Sequence, residues 1–386
     1  MSDTTTSALH FFSLAFNEAI KQNHAAALWS KPGSTEFHIL IDQHPSETLE
    51  SIRWDSNNKG FLIHPFANNA QNASVLVKPS LLFHSNSFST IDAQKLVLDY
   101  NAELPYKYLC NLNTDEISHT ESDYTSKVEH LLDEIKIGSI KKIILARHKD
   151  VPFVFSKSPM AYALELRQFH PNAFISLVYH PLVGCWIGAS PELLASTDEE
   201  GIFNTIALAG TQAYDKNKSL KDHSWTNKEI EEQAFVTRYI INCFKHIRLR
   251  EYEEEGPKNY LAGNLVHLCT RFKVDAKALK INNLVDQMLP LLHPTAATCG
   301  EPKEKALALI QQYEHVPRQL YAGFWGPINM TNKSAVYVNL RCAQLFSNGY
   351  RSYAGAGITA ESTPALEWIE TENKLQSIEK IWNTSS

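Results

Sequence analysis

The chain has 386 residues, 44% hydrophobic and 20% charged, which suits a soluble globular protein built as two or three average domains or as one large core. Its 36 basic residues against 42 acidic ones give a net charge of −6, and without a basic stripe a nucleic-acid partner has no electrostatic support. No apolar run nears the roughly 20 residues of a membrane span, the opening MSDTTTSALHFF lacks a secretory pattern, and six scattered cysteines form neither a CxxC pair nor a zinc-spaced cluster; the expectation is a cytoplasmic protein with reduced, small core cysteines.

A helix is predicted near residues 7 to 21. Short apolar runs follow, EFHILID and GFLIHPF, separated by turn-rich pieces such as DSNNKG and FANNAQNAS, and these read as strands and loops. From residue 121 the pattern sharpens into a helix, SDYTSKVEHLLDEIKIG, and then strands at KKIILARHKDV, AFISLVYH, GCWIGAS and FNTIALAG. In the first of these, alternation puts Lys142, Ile144 and Ala146 on one face. A lysine in the middle of an apolar strand is either at an exposed edge, where it blocks aggregation, or buried, where a lowered pKa makes it a general base. In GASPELLAS, Glu192 follows a strand at a turn, and partial burial there would keep it protonated as a general acid requires. The small-residue segments LAGT (208 to 211) and YAGAGI (353 to 358) let backbone N–H groups approach an anion closely, although Gly355 and Gly357 could equally mark a bulge.

The long helix NKEIEEQAFVTRYIINCFKHIR presents Val236, Ile240, Cys243, Phe244 and Ile247 on one apolar face. It begins with Glu229 and Glu232 three apart, while the last helix, opening at Ser362, Thr363 and Pro364, carries Glu367, Glu370 and Lys374 on nearly one line. Each acidic pair by itself is either an ordinary solvated or dipole-favouring face or half of a hard-cation site. Neither helix has the Glu-x-x-His of a di-iron centre. Near the end, AVYVNLRCAQLF and YRSYAGAGI alternate on either side of SNG, which predicts an antiparallel hairpin with Asn-Gly in the turn. Arg341 would then share a strand face with Tyr337 and Asn339, as a bidentate partner for a carboxylate. Hairpin-paired strands with long helices between blocks argue for α+β.

Taken in order, KKIILAR, IGASPELL, ALAGT, KEIEE, LLHPTAATCGEPKEKAL, YAGFWGP, LRCAQL, YAGAGI and EWIETENKL resemble the chorismate-binding enzyme family over roughly residues 121 to 383. The resemblance implies a large single-domain α+β fold of antiparallel sheets packed together and flanked by helices, with residues 1–120 a variable N-terminal part and residues 121–386 the catalytic region. It implies one Mg²⁺ held chiefly by Glu232 and Glu370, with Glu229 and Glu367 supporting through water, and chorismate bound by its ring carboxylate to the metal. Arg341 and Tyr321 would take the enolpyruvyl carboxylate beside Gly355 and Gly357. Lys374, His267, Gly210, Thr211 and Ala297 would line the remaining wall.

Within the family, amine-forming synthases usually carry glutamine where this chain has Lys142, and aminodeoxychorismate enzymes carry a lysine in PIKGT where this chain has ALAGT. The resemblance therefore implies water as nucleophile, activated by Lys142, with Glu192 protonating the departing hydroxyl: isomerisation of chorismate to isochorismate, with no obligatory glutamine amidotransferase partner. Salicylate synthases share that pair but typically carry threonine at the position of Ala297. The family's Lys-Glu-x-x-Glu-His here ends in Gln233, a departure beside the metal carboxylates.

Overall fold

The computed structural model describes residues 3–45, 58–67, 74–89, 103–113, 120–215, 217–262, 265–330 and 333–383. Residues 55–57 and 68–73 of the turn-rich pieces fall outside them. In chain order the strands are β1 (Ala25–Ser30), β2 (His38–Asp42), β3 (Gly60–His64), β4 (Val75–Val77), β5 (Leu81–His84), β6 (Lys142–Pro152), β7 (Phe174–His180), β8 (Gly184–Ser190), β9 (Leu193–Thr197), β10 (Ile202–Ala213), β11 (Glu253–Ala262), β12 (Leu265–Asp275), β13 (Gly300–Glu301), β14 (Phe324–Ile328), β15 (Ser334–Val338), β16 (Cys342–Phe346) and β17 (Gly349–Ile358). The helices are α1 (Asp3–Lys21), α2 (Glu121–Lys136), α3 (Pro159–Phe169), α4 (Asn227–His246), α5 (Leu284–Leu292), α6 (Lys303–Tyr313) and α7 (Pro364–Glu379). No helix among the described residues is long and apolar enough to cross a membrane.

The strands form two antiparallel sheets: nine strands in the order β13-β6-β17-β16-β8-β7-β1-β2-β5, and eight in the order β11-β12-β10-β9-β15-β14-β3-β4. Both are covered on both faces, which is why strands such as AFISLVYH read as continuous apolar runs. Alternate residues of β1 show the layering: Ala26 and Leu28 join a core with α1 and α3, whereas Ala25, Ala27 and Trp29 turn into the core between the sheets. That inner core stacks aromatics from both sheets, as Phe174 does on Tyr337 at 4.1 Å. A third core seals the outer face of the eight-stranded sheet with α4 and α5.

The late hairpin differs from its sequence reading. AVYVNLRCAQLF is two strands in different sheets: β15 belongs to the eight-stranded sheet and β16 to the nine-stranded one. The break falls at Asn339–Arg341, where Arg341 takes a left-handed φ of +48°. Strand alternation cannot anticipate it, because both halves are apolar and buried. The turn is also shifted by one residue. Phe346 pairs with Gly349, so Ser347 and Asn348 form the loop, and Gly349 serves instead to let β6 approach, since a Cβ there would stand 2.4 Å from Val151 O.

The edge of β6 is completed by side chains. β13 pairs only with Lys142 and Ile143. Beyond it, Glu314 accepts the Ala146 N–H at 2.7 Å, while Arg318 donates to Ile144 O at 2.8 Å and to Thr298 O at 2.6 Å. The two side chains pair with each other at 2.7 and 2.6 Å and are only 3% and 5% exposed. Removing one member of such a pair leaves a buried charge uncompensated, a loss of about 3–5 kcal/mol. We therefore expect Arg318→Met to lower the unfolding free energy by that order in urea titration; a loss under about 1 kcal/mol would mean that this pair does not hold the strand.

Candidate active site

One cavity of about 110 Å³ collects residues from both sheets and from α4 and α7. Lys142, Glu192, Gly210, Thr211, Glu232, His267, Ala297, Tyr321, Arg341, Gly355, Gly357, Glu370 and Lys374 all line it. Glu229 and Glu367 do not. The Glu229 carboxylate closes the N-terminus of its own helix, accepting the Thr226 N–H at 2.8 Å and the Thr226 hydroxyl, the capping-box arrangement. Glu367 lies behind Glu370, 1% exposed, and takes Lys228 Nζ at 2.6 Å.

Two direct passages between the sheets build the floor. β8 leads into β9 through Pro191 and Glu192, and β15 into β16 through Asn339–Arg341. They are bonded to one another: Val338 N–H donates to Glu192 O at 3.0 Å and Ala189 N–H to Arg341 O at 3.1 Å. Asn339 also fixes the segment carrying Tyr321, donating through Nδ2 to Leu320 O at 2.9 Å and accepting the Ala322 N–H at 2.9 Å. Burial pushes the Glu192 carboxyl up to about 8 against the opposing pull of Lys142, so it stays protonated at neutral pH.

On the eight-stranded side, the pairing of β10 with β12 shifts between Ala209 and Gln212, and Gly210 there has φ +66°. This bulge turns the Gly210 carbonyl to His267 Nδ1 at 2.8 Å. On its other side, His267 Nε2 lies 2.7 Å from an Arg341 guanidinium nitrogen. Because arginine only donates, Nε2 must accept, and Nδ1 must carry the proton it gives to Gly210. Burial, and then Arg341, lower His267 to about 3, consistent with that neutral tautomer. Burial brings Arg341 itself down to about 10, still protonated at pH 7.

The nine-stranded side supplies Lys142, 2% exposed, with Nζ 3.5 Å from Glu232 Oε1. Gly357 makes room for that carboxylate: a Cβ would stand 2.3 Å from Glu232 Oε1. Gly355 similarly lies under the Tyr321 hydroxyl, at 3.1 Å from its Cβ position. The β6–β17 register runs through both glycines without a shift, so neither marks a bulge. α7 is clamped over this face by Arg147, whose Nε donates to Thr371 Oγ1 at 2.7 Å and whose guanidinium lies 3.8 Å over the Trp368 ring. The clamp sets Glu370 against Lys374 at 2.7 Å and Lys228 at 3.9 Å. Burial would raise the Glu370 carboxyl, but Lys374, Lys228 and Lys142 outweigh it and hold the carboxyl low. Glu367 is raised, by burial and then by Glu370.

Two carboxylates from different helices in one cavity are the hard oxygen donors that a divalent cation of the Mg²⁺ type takes, alongside water and ligand oxygens. The Oε2 of Glu367, buried without a hydrogen-bond partner, adds acceptor capacity beside Glu370 that the lysines leave unused. The residues present therefore fit a cation. Gln233 is turned away from it: buried, it donates to Ala207 O at 3.1 Å and Thr270 Oγ1 at 3.0 Å, tying α4 to β10 and β12.

Sequence reasoning missed Lys228 and the apolar lining of Leu208, Leu340 and Tyr353. Ile144 also lines the cavity, on the strand face it was expected to share with Lys142. Lys228 opens the family's Lys-Glu-x-x-Glu stretch, but its role could not be read there because its partners lie on α7.

A cleft with paired acidic helices, basic groups for an anion and one buried, protonated carboxyl defines an enzyme site. The chain belongs to the chorismate binding enzyme family, whose pattern it matches over residues 69–382. It is 29% identical over 251 residues to an isochorismate synthase of Escherichia coli (strain K12), covering 63% of this chain and 62% of that protein. It is 29% identical over 269 residues to a salicylate synthase of Mycolicibacterium paratuberculosis, covering 67% of this chain and 57% of that one. The chain thus spans about three fifths of these relatives' lengths. In three dimensions it resembles the menaquinone-specific isochorismate synthase of Escherichia coli, with a TM-score of 0.75 at 22% identity over 94% of this chain and 89% of that one. The layered α+β fold is that of these neighbours.

Glu192 makes stability depend on pH. From about pH 4.5, its ordinary value, to about pH 8, the folded chain holds a proton that the unfolded chain has released, so stability falls as pH rises across that window. Glu192→Gln has no such proton. The Tm of this variant is expected to gain on that of the wild type steadily from pH 5 to pH 8, and parallel Tm profiles would show that the carboxyl is not buried as described.

Proposed function

We propose that the protein is an isochorismate synthase, an Mg²⁺-dependent isomerase acting on chorismate. The observation that carries this reading is that Lys142 and Glu192 line one cavity, both 2% exposed, as a base and an acid acting at C2 and C4 of one ring would have to. Glu232 and Glu370 would hold the Mg²⁺, with Glu367 behind Glu370 and Glu229 at the adjoining helix terminus, and the ion would neutralise the ring carboxylate. Arg341 and Tyr321 receive the enolpyruvyl carboxylate, while His267 fixes the orientation of Arg341 from behind. Lys374, Thr211 and Ala297 complete the wall, and the Gly210, Gly355 and Gly357 backbones let the ring lie close.

Lys142 takes a proton from a water that attacks C2. The electron pair of the C1–C2 double bond moves to C1–C6, that of C5–C6 moves to C4–C5, and the C4–O bond breaks. Glu192 gives its proton to the departing hydroxyl, which leaves as water. One water enters and one leaves, so the product is an isomer of the substrate. A carboxyl titrating near 8 suits this role at neutral pH, because general acids work best with a pKa close to the working pH.

The salicylate-forming alternative shares this acid and base and adds loss of pyruvate. Chorismate and Mg²⁺ supplied to the purified protein should yield isochorismate on chromatography; accumulation of fluorescent salicylate instead would select the alternative. Lys142→Ala and Glu192→Gln should each reduce kcat by at least ~10²-fold, with chorismate binding retained in calorimetry, and EDTA should abolish turnover reversibly. Near-normal kcat in Lys142→Ala would place water activation elsewhere.

A further inference from the structure

A second cluster of donor atoms stands apart from the cleft, at the other end of the nine-stranded sheet. Glu36 and His38 are two apart in an extended segment and so share a face, and His38 lies directly opposite His84 in the β2–β5 pairing. The pairing continues past His38: Phe37 N–H donates to Ser85 Oγ at 3.0 Å and Ser85 N–H to Phe37 O at 2.9 Å. The backbone around the cluster is therefore fixed on both strands. One donor atom from each of Glu36, His38 and His84 lies within 4.8 Å of the other two. No other trio of this kind occurs among the described residues.

The rings are held before any ligand arrives. Trp29, opposite His38 on β1, stacks on its imidazole at 5.2 Å and 21°. His38 and His84 meet nearly edge to face, with their Nδ1 atoms 2.6 Å apart. The Glu36 carboxylate lies 3.7 Å from His38 Nε2. Two nitrogens on one tetrahedral zinc, at about 2.0–2.1 Å each, are separated by roughly 3.3 Å. With both Nδ1 atoms as ligands the imidazoles part by well under an ångström, and the Glu36 carboxylate turns from the Nε2 edge of His38 to the ion.

We propose that Glu36, His38 and His84 form a binding site for one zinc-class divalent transition-metal ion, with a fourth position left to water. Two imidazoles and a carboxylate are the ligand types such ions select over Mg²⁺, which prefers oxygen alone. A neutral imidazole whose Nδ1 carries the shared proton moves it to Nε2 when that nitrogen becomes a ligand, so no proton need leave the site. Among the described residues β5 is the last strand of its sheet and lies seven strand spacings from β6, roughly 34 Å at about 4.8 Å each. At that distance the ion takes no part in the cleft's chemistry. It would pin β5 to β2.

The test is Zn²⁺ binding to EDTA-stripped full-length protein in excess Mg²⁺, read by calorimetry and by Tm. One Zn²⁺ per chain and an upward Tm shift that grows with Zn²⁺ are expected. In His84→Gln the shift should disappear and the affinity fall by at least tenfold, while the far-UV spectrum and Mg²⁺-dependent turnover of chorismate match the wild type. Ni²⁺ should quench the fluorescence of the wild type more than that of Trp29→Phe, because Trp29 stacks on a ligand. Absence of a Zn²⁺-dependent Tm shift, or a shift of equal size in His84→Gln, would overturn the proposal, the latter by assigning the ion to other donors such as the exposed Cys110.

Discussion

At Pro191–Glu192, and again at Asn339–Arg341, the chain steps from one sheet to the other, and the two steps are hydrogen-bonded side by side. A strand that stays in a sheet sends most of its side chains into the closed cores above and below, although Lys142 and His267 line the cavity from within theirs. A residue at the step belongs to neither sheet and can face the gap between them. Glu192 and Arg341 occupy these places, and Asn339 ties the same passage to Tyr321. Arg341 reaches its position with a left-handed backbone, φ +48°, a conformation that costs a non-glycine residue of order 1 kcal/mol or more and persists only where surrounding contacts impose it. Those contacts are present: the Ala189 bond to its carbonyl and the His267 bond to its guanidinium.

The same gap sets the electrostatics. Glu192, buried, keeps its proton to about pH 8. The other acidic residues stay near lysines: Glu232 beside Lys142, Glu370 beside Lys374 and Lys228, Glu367 beside Lys228. Among these carboxyls burial wins at Glu192 and Glu367, which are raised, and loses at Glu370, where three lysines outweigh it. For a chain of net charge −6, local lysines and arginine make an anionic ligand admissible, and the carboxylates add a place for a cation.

Much of this cleft could be read from the sequence, for reasons that differ by residue. Lys142 stood out because an ammonium in an apolar strand is costly to bury without a purpose, and alternation correctly put Ile144 beside it. The acidic pairs were visible as helical spacing, but spacing could not say that Glu229 spends its carboxylate on Thr226 or that Glu367 turns to Lys228, since those choices rest on partners fixed only by tertiary packing. Arg341 was picked for its chemistry and given the wrong local structure, because two buried apolar strands joined by three residues have the same pattern as one long strand. The His267–Gly210 contact left no trace: it depends on a bulge in β10 and on the register of β12, and register is set by pairings distant in sequence.

The central claim is that the cleft brings an external water to C2 while Glu192 releases the C4 hydroxyl. Turnover of chorismate in H₂¹⁸O with Mg²⁺, followed by mass spectrometry of the product, tests it directly. The account predicts isochorismate carrying one ¹⁸O, located at the C2 hydroxyl, in every molecule formed during the first turnovers. Isochorismate formed without label would mean that the substrate's own hydroxyl migrates, and the roles given to Lys142 and Glu192 would then be wrong.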